Sequence, residues 1–147
     1  MEKLEKDRYE LVMDLIRFKQ FNIAIESLEE IVKREDRPPE ALSMLGVALA
    51  RSGKDMKRAI DLCSEAIRKC STNASFYYNL ADIFRRVSRR DKAIQVLKAG
   101  LKALPENKKL INAINRFGVR RPPVISFLDR SHPVNKLAGK ILYEKKH

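Results

Sequence analysis

Two ladders of residues run through the chain at nearly the same interval. An alanine followed by isoleucine stands at 24, 59 and 93, and a leucine stands upstream of each at 11, 45 and 80. The alanine steps are 35 and 34 and the leucine steps 34 and 35. A period in this range means one supersecondary unit repeated along the chain, because a single unit cannot bury its own apolar face and must stack on neighbours. The ladders fall out of step only between Leu45 and Ala59. One extra residue therefore lies there, and the turn-like stretch 52–56 is its expected host.

The slots around the ladders repeat as well. After each leucine comes a modest or small residue (Val12, Gly46, Ala81), and four places on a larger apolar one (Leu15, Leu49, Phe84). After each alanine, apolar or small residues return at four and at seven or eight places: Leu28, Ile31 and Val32, then Cys63, Ala66 and Ile67, then Leu97, Gly100 and Leu101. These spacings put one apolar stripe on each of two helices. A small residue at the alanine slot lets the two helices of a hairpin approach closely. Pro105 ends the third unit, since proline cannot continue a helix interior. Pro38-Pro39 and Asn73 break the chain after the first two.

This pattern resembles the tetratricopeptide repeat, a helix-turn-helix of 34 residues with aromatic, Leu-Gly, Tyr, Ala, Phe, Ala and Pro at set places. Tyr77, Leu80-Ala81, Phe84, Ala93, Leu97, Gly100 and Pro105 carry the fullest match. The second unit keeps Leu45-Gly46 and Ala59 but has Ser71 for the proline, and the first has Arg8 in the aromatic slot. The resemblance implies an all-α, right-handed α-solenoid of three helix hairpins, at about 5–38, 39–73 and 74–107. A capping helix at 106–117 is expected to follow, stopped by Gly118 as its C-cap, with a stripe of Leu110, Ile111, Ile114 and Phe117 over the exposed end of the third hairpin. Residues 1–118 would make one domain. Residues 119–147 read as a Pro-Pro connector, the apolar run VISFL and a basic amphipathic helix docked on the preceding one as a lid.

Composition narrows the function. The run MEKLEKDRYE is too charged for a signal peptide, and no apolar stretch approaches the roughly 20 residues that span a bilayer, so a cytoplasmic protein is expected. Cys63 and Cys70 stand about 10 Å apart along one helix, too far for a disulfide or a shared zinc. Their expected roles are a buried packing residue and an incidental thiol. Catalysis is not expected, nor any cofactor or metal. His132 and His147 have no nucleophile paired with them in sequence, and the glycines at 46, 53, 100, 118 and 139 form no phosphate-cradling loop. Glu29-Glu30 reads as a solvated helix face. Residues 1–50 hold 8 basic and 11 acidic side chains, whereas 51–147 hold 23 and 8. That asymmetry favours an acidic partner for the C-terminal part.

In the family it resembles, the first helix of each hairpin lines a concave surface that holds partner segments. Carried onto this chain, that surface takes Met13 and Arg17 from the first unit and Met44, Val47 and Arg51 from the second. Tyr78, Asn79, Asp82, Arg85 and Arg86 come from the third, and Arg116 from the capping helix. An arginine stands six places after the leucine in every unit, at 17, 51 and 86. Two readings stand: a guanidinium ladder for carboxylates or phosphates, or cations closing helix C-termini against the dipole. The family's clamp for chaperone tails finds only Asn79 and Lys109 in place, against Ser43, Val47 and Ala113, which argues against that partner. The expected function is an adaptor binding an acidic or mixed apolar-acidic segment of a partner protein in the groove. The alternative is an RNA- or other polyanion-associated factor using the basic C-terminal half, including the run RRVSRR. Oligomeric state is left open.

Overall fold

The protein, described by a computed structural model over residues 2–118 with Pro133 and Lys136, is an α-solenoid. The helices are α1 Glu2–Arg17, α2 Phe21–Val32, α3 Pro39–Ser52, α4 Met56–Lys69, α5 Ala74–Arg86, α6 Arg90–Ala103 and α7 Lys108–Gly118. Among the described residues there is no strand. The expected tail helix, the VISFL run and their docking as a lid lie outside these residues.

Helices α1 and α2, α3 and α4, and α5 and α6 pair as hairpins, and α7 stacks on α5 and α6. Ala24, Ala59 and Ala93 are completely buried, which is what lets each pair close. Side chains at the next turns fill the rest of the interface: Leu28, Cys63 and Leu97 are also completely buried. In the second hairpin Gly46 lies against Cys63 and the Ala59 carbonyl, and in the third Gly100 lies against Tyr77 and Leu110.

Each hairpin turns by the same device. The chain enters the left-handed region eight residues after the ladder leucine, at Lys19 (φ 60°), Gly53 (φ 72°) and Ser88 (φ 60°). The amide one residue later donates back to a carbonyl five residues earlier: Gln20 to Leu15, Lys54 to Leu49 and Arg89 to Phe84. This is a Schellman closure, and it satisfies carbonyls that a helix end leaves unpaired. The extra residue of the second unit follows Gly53, as the ladders require. It gives α4 a capping aspartate, Asp55, whose carboxylate accepts from the Arg58 amide at 2.9 Å. The shorter turns put Gln20 and Arg89 at that place, and neither side chain caps its helix.

Other ends follow local chemistry. Pro39 starts α3 at the position where a missing N–H costs nothing. Asn73 accepts from the Ser75 amide at the start of α5. Asn107 accepts from the Leu110 amide, so α7 begins at Lys108, two residues later than the sequence suggests. Gly118, expected as the C-cap, is the last described residue of α7, and the chain after it lies outside the described residues. The α7 stripe also needs correction. Leu110 and Phe117 are buried as expected, but Ala113 completes the buried face while Ile111 is exposed.

The first helices α1, α3, α5 and α7 approach one another in sequence, whereas α2 and α4, and α4 and α6, make no close backbone approach among the described residues. The stack therefore curves with the first helices on its inner side. On the outer side, side chains bridge the first two units. Arg58 donates to both carboxylate oxygens of Glu29 at 2.6 and 2.9 Å, and Arg37 to both of Glu65 at 2.9 Å. Glu29 is thus no solvated bystander: its partner lies on the next hairpin, and only Glu30 pairs locally, with Lys33.

Candidate functional site

Helices α1, α3 and α5 together form an open cavity of about 250 Å³, lined by Met13, Ile16, Arg17, Met44, Val47, Arg51 and Asn79. The residues from α1 and from α3 stand three or four places apart, which is why they share one face, and α5 adds Asn79. Ile16 and Met44 are buried and Val47 partly so, while Met13 stands half in solvent. The floor is therefore apolar and adaptable, since methionine is unbranched and polarisable. Below it, Asn79 donates to the Ser43 hydroxyl at 3.0 Å, fixing α5 to α3. Ser43 is itself buried, and its carbonyl accepts from the Cys63 thiol at 3.6 Å.

The rim is cationic. Arg17 pairs with Asp14 one turn earlier at 2.9 Å, in an exposed geometry where such a pair contributes little. Arg51 has no hydrogen bond or ion pair among the described residues. It also borders a second, shallower cavity of about 300 Å³ with Lys19, Gln20, Phe21, Asn22, Ser52 and Lys54. Two rungs of the arginine ladder thus meet at one cavity. The third, Arg86, is not among its lining residues.

Arg86 instead donates to Asp82 at 3.0 Å, and Arg85 donates twice to the other carboxylate oxygen at 3.0 and 2.7 Å. Desolvation pushes the half-buried Asp82 carboxyl upward, but the hydrogen bonds from Arg85 and Arg86 outweigh it and hold the pKa below the ordinary range. One carboxylate shared by two guanidinium groups leaves a net positive charge on this wall. Sequence reasoning placed Asp82 in the groove but missed this role. The signal was available, because Arg85 and Arg86 stand three and four residues after it on one helix.

Tyr78 and Arg116, the remaining expected site residues, belong to a neighbouring cluster between α5 and α7. The Tyr78 and Phe117 rings lie 6.0 Å apart, tilted by 40°. Lys109 stands 5.1 Å over Tyr78, and Arg85 and Arg116 stand 5.6 and 6.0 Å from the Phe117 ring. Lys109 also donates to Ser75 at 2.9 Å. These cations gain from the ring faces and still offer N–H groups to solvent. The inner surface thus runs from an apolar floor between α1 and α3 to a cationic, aromatic wall between α5 and α7.

Among the described residues no three His, Cys, Asp or Glu side chains gather to hold a metal. Nor, among them, is any helix long and apolar enough to cross a membrane.

Comparison with known proteins agrees with this architecture. Residues 9–74 match the tetratricopeptide repeat family. No curated protein sequence matches the chain. Among solved structures, a crystal structure of MamA protein is 25% identical with a TM-score of 0.61, over 78% of this chain and 65% of that one. The chain therefore spans just under two thirds of that relative. The second tetratricopeptide domain of human RPAP3, solved in complex with an HSP70 peptide, is 16% identical with a TM-score of 0.63, over 79% and 93% of the two chains. PcrH, solved with the chaperone-binding region of PopD, is 13% identical with a TM-score of 0.64, over 80% and 88%. The last two likenesses concern the fold alone. With the family match over the first two units and the same hairpin stacked three times, the chain has the fold of a tetratricopeptide-type α-solenoid.

Proposed function

We propose that the protein is an adaptor that binds a mixed apolar-acidic segment of a partner protein along its inner surface. The cavity between α1, α3 and α5 supports this reading, because it sets an apolar floor beside the guanidinium of Arg51, which has no partner among the described residues. A leucine- or methionine-sized side chain of the partner would fill the floor over Ile16, Met44 and Val47. A carboxylate beside it would take the planar donor fork of Arg51, with Arg17 free to leave its weak local pair and join. Acidic groups further along the segment would meet Arg85, Arg86, Lys109 and Arg116. Two structures of this fold, from RPAP3 and PcrH, were solved with a peptide and with a region of a partner protein, which supports a similar use here. No role in catalysis is proposed.

The polyanion alternative draws on less. Of the five cations in and just after RRVSRR, Arg85 and Arg86 are engaged by Asp82 and Lys92 lies 5.8 Å over the Phe84 ring. The test is fluorescence anisotropy with labelled peptides in which glutamates flank a leucine, beside lysine-for-glutamate counterparts and a single-stranded RNA. The acidic peptide should bind, and Arg17→Glu with Arg51→Glu should weaken it at least tenfold with helicity unchanged. Equal binding of acidic and basic peptides would overturn the reading. Tight RNA binding that ignores the double variant would move the function to the polyanion alternative.

A further inference from the structure

The ladder leucine behaves differently in the first unit. Leu45 and Leu80 are buried, whereas Leu11, in the same slot, is 61% exposed. Val12, which faces the hairpin's own second helix, is buried in the first unit just as Gly46 and Ala81 are in theirs. The difference is therefore not within the hairpin. Leu45 and Leu80 have a preceding hairpin to pack against, and Leu11 meets none among the described residues.

Phe18, seven residues after Leu11 and so on the same face, is 70% exposed, and Ile23 at the start of α2 is 51% exposed. Repeats that end a stack ordinarily carry a polar outer face, whereas the first unit here keeps the apolar pattern of an internal one.

The other end of the stack is complementary. On α7, Ile111 is the one exposed large apolar side chain, with Lys108 one turn before it. Charge is divided the same way along the chain. Residues 1–32 carry eight acidic and five basic side chains, and 90–118 carry seven basic and two acidic. On the open face itself, Asp7 lies one turn before Leu11.

From this placement we infer that the open face of α1 receives the basic α7 end of a second copy of the chain, so that copies add head to tail. Two different surfaces meet in such a contact, and nothing in it closes after two subunits. The surface lies outside the inner groove and does not depend on what the groove holds.

Light scattering on the full chain across a wide concentration range tests this directly. Weight-average mass should rise without stopping at a dimer. Leu11→Glu with Phe18→Glu should be monomeric at concentrations at least tenfold above those where the parent associates, with helicity and melting unchanged because both positions are exposed. This double variant keeps its α7 end, so it should also act as a chain terminator that lowers the mass of the parent when mixed in excess. Arg51→Glu should leave association as it is. A parent that stays monomeric throughout would overturn the inference, the face then being covered by the chain's own tail or by another partner. A mass that stops at the dimer and resists the terminator would overturn it too, because a symmetric contact would then be at work.

Discussion

Gly46 and Cys63 face each other across the second hairpin so closely that a β-carbon on Gly46 would lie 2.5 Å from the Cys63 sulfur. It would also lie 2.8 Å from the Ala59 carbonyl oxygen. Glycine here is a matter of distance between two helices, not of backbone angle. Gly46→Ala should therefore destabilise the protein by about 1–3 kcal/mol, the usual cost of overpacking. Cys63→Ala in the same chain should recover part of that loss, since the sulfur is removed while the carbonyl stays. Chemical denaturation of the four variants measures the coupling. Purely additive effects would show that the two residues do not meet as described.

The same burial governs thiol chemistry. Desolvation pushes the Cys63 thiol up to about 12, its hydrogen bond to the Ser43 carbonyl opposing only in part. The thiolate, which is the reactive form, is therefore scarce at neutral pH, and the sulfur is also inaccessible. A thiol-disulfide reagent at pH 8 should modify one cysteine per native chain, Cys70, and the second only on unfolding. Modification of Cys63 in the folded protein would contradict the packing.

Three hairpins share one left-handed turn position, and only the second has glycine there. Lys19 and Ser88 adopt φ 60° with a β-carbon in place. Relief of that strain outweighs the extra freedom glycine brings to the unfolded chain. Ser88→Gly and Lys19→Gly should each stabilise by about 0.5–1 kcal/mol, and Gly53→Ala should cost a similar amount. Thermal melts compare all three directly.

The Glu29–Arg58 pair joins α2 to α4, and its effect depends on pH. Hydrogen bonding from Arg58 holds the Glu29 carboxyl below its ordinary value of 4.5 against a smaller desolvation effect, and the same bond raises Arg58. A depressed carboxylate adds stability that is present above the unfolded-state pKa and is lost as pH falls through the folded one. Arg58 is partly exposed, so solvent screening keeps the contribution below about 1 kcal/mol. Arg58→Ala should thus lower the melting temperature slightly at pH 7. The gap to the parent should shrink as pH drops below about 4.5. A gap that stays constant down to pH 3 would mean that packing, not charge, links the helices.

Ala93 is completely buried between α5 and α6. Ala93→Glu would place an uncompensated carboxylate there, with a cost of at least about 3–5 kcal/mol. The third hairpin and α7 should lose helicity at 25 °C, visible by circular dichroism. Melting like the parent would show that the alanine slot does not mark the hairpin contact.

What the sequence determined by itself was everything that depends on spacing along one helix or one hairpin. The alanine slot, the small residue after each ladder leucine, the proline and asparagine breaks and the extra residue near Asp55 were all legible, because helical period and turn chemistry act over a few residues. The pairing of Arg85 and Arg86 with Asp82 was legible by the same rule. The tertiary structure alone decided which surfaces of neighbouring units meet. The rotation between successive hairpins brings Glu29 to Arg58, unites Arg17 and Arg51 at one cavity without Arg86, and turns Ala113 inward and Ile111 outward. It also leaves Leu11 bare where Leu45 and Leu80 are covered. That rotation is set by how side-chain volumes interlock between helices some thirty residues apart, and no local period encodes it.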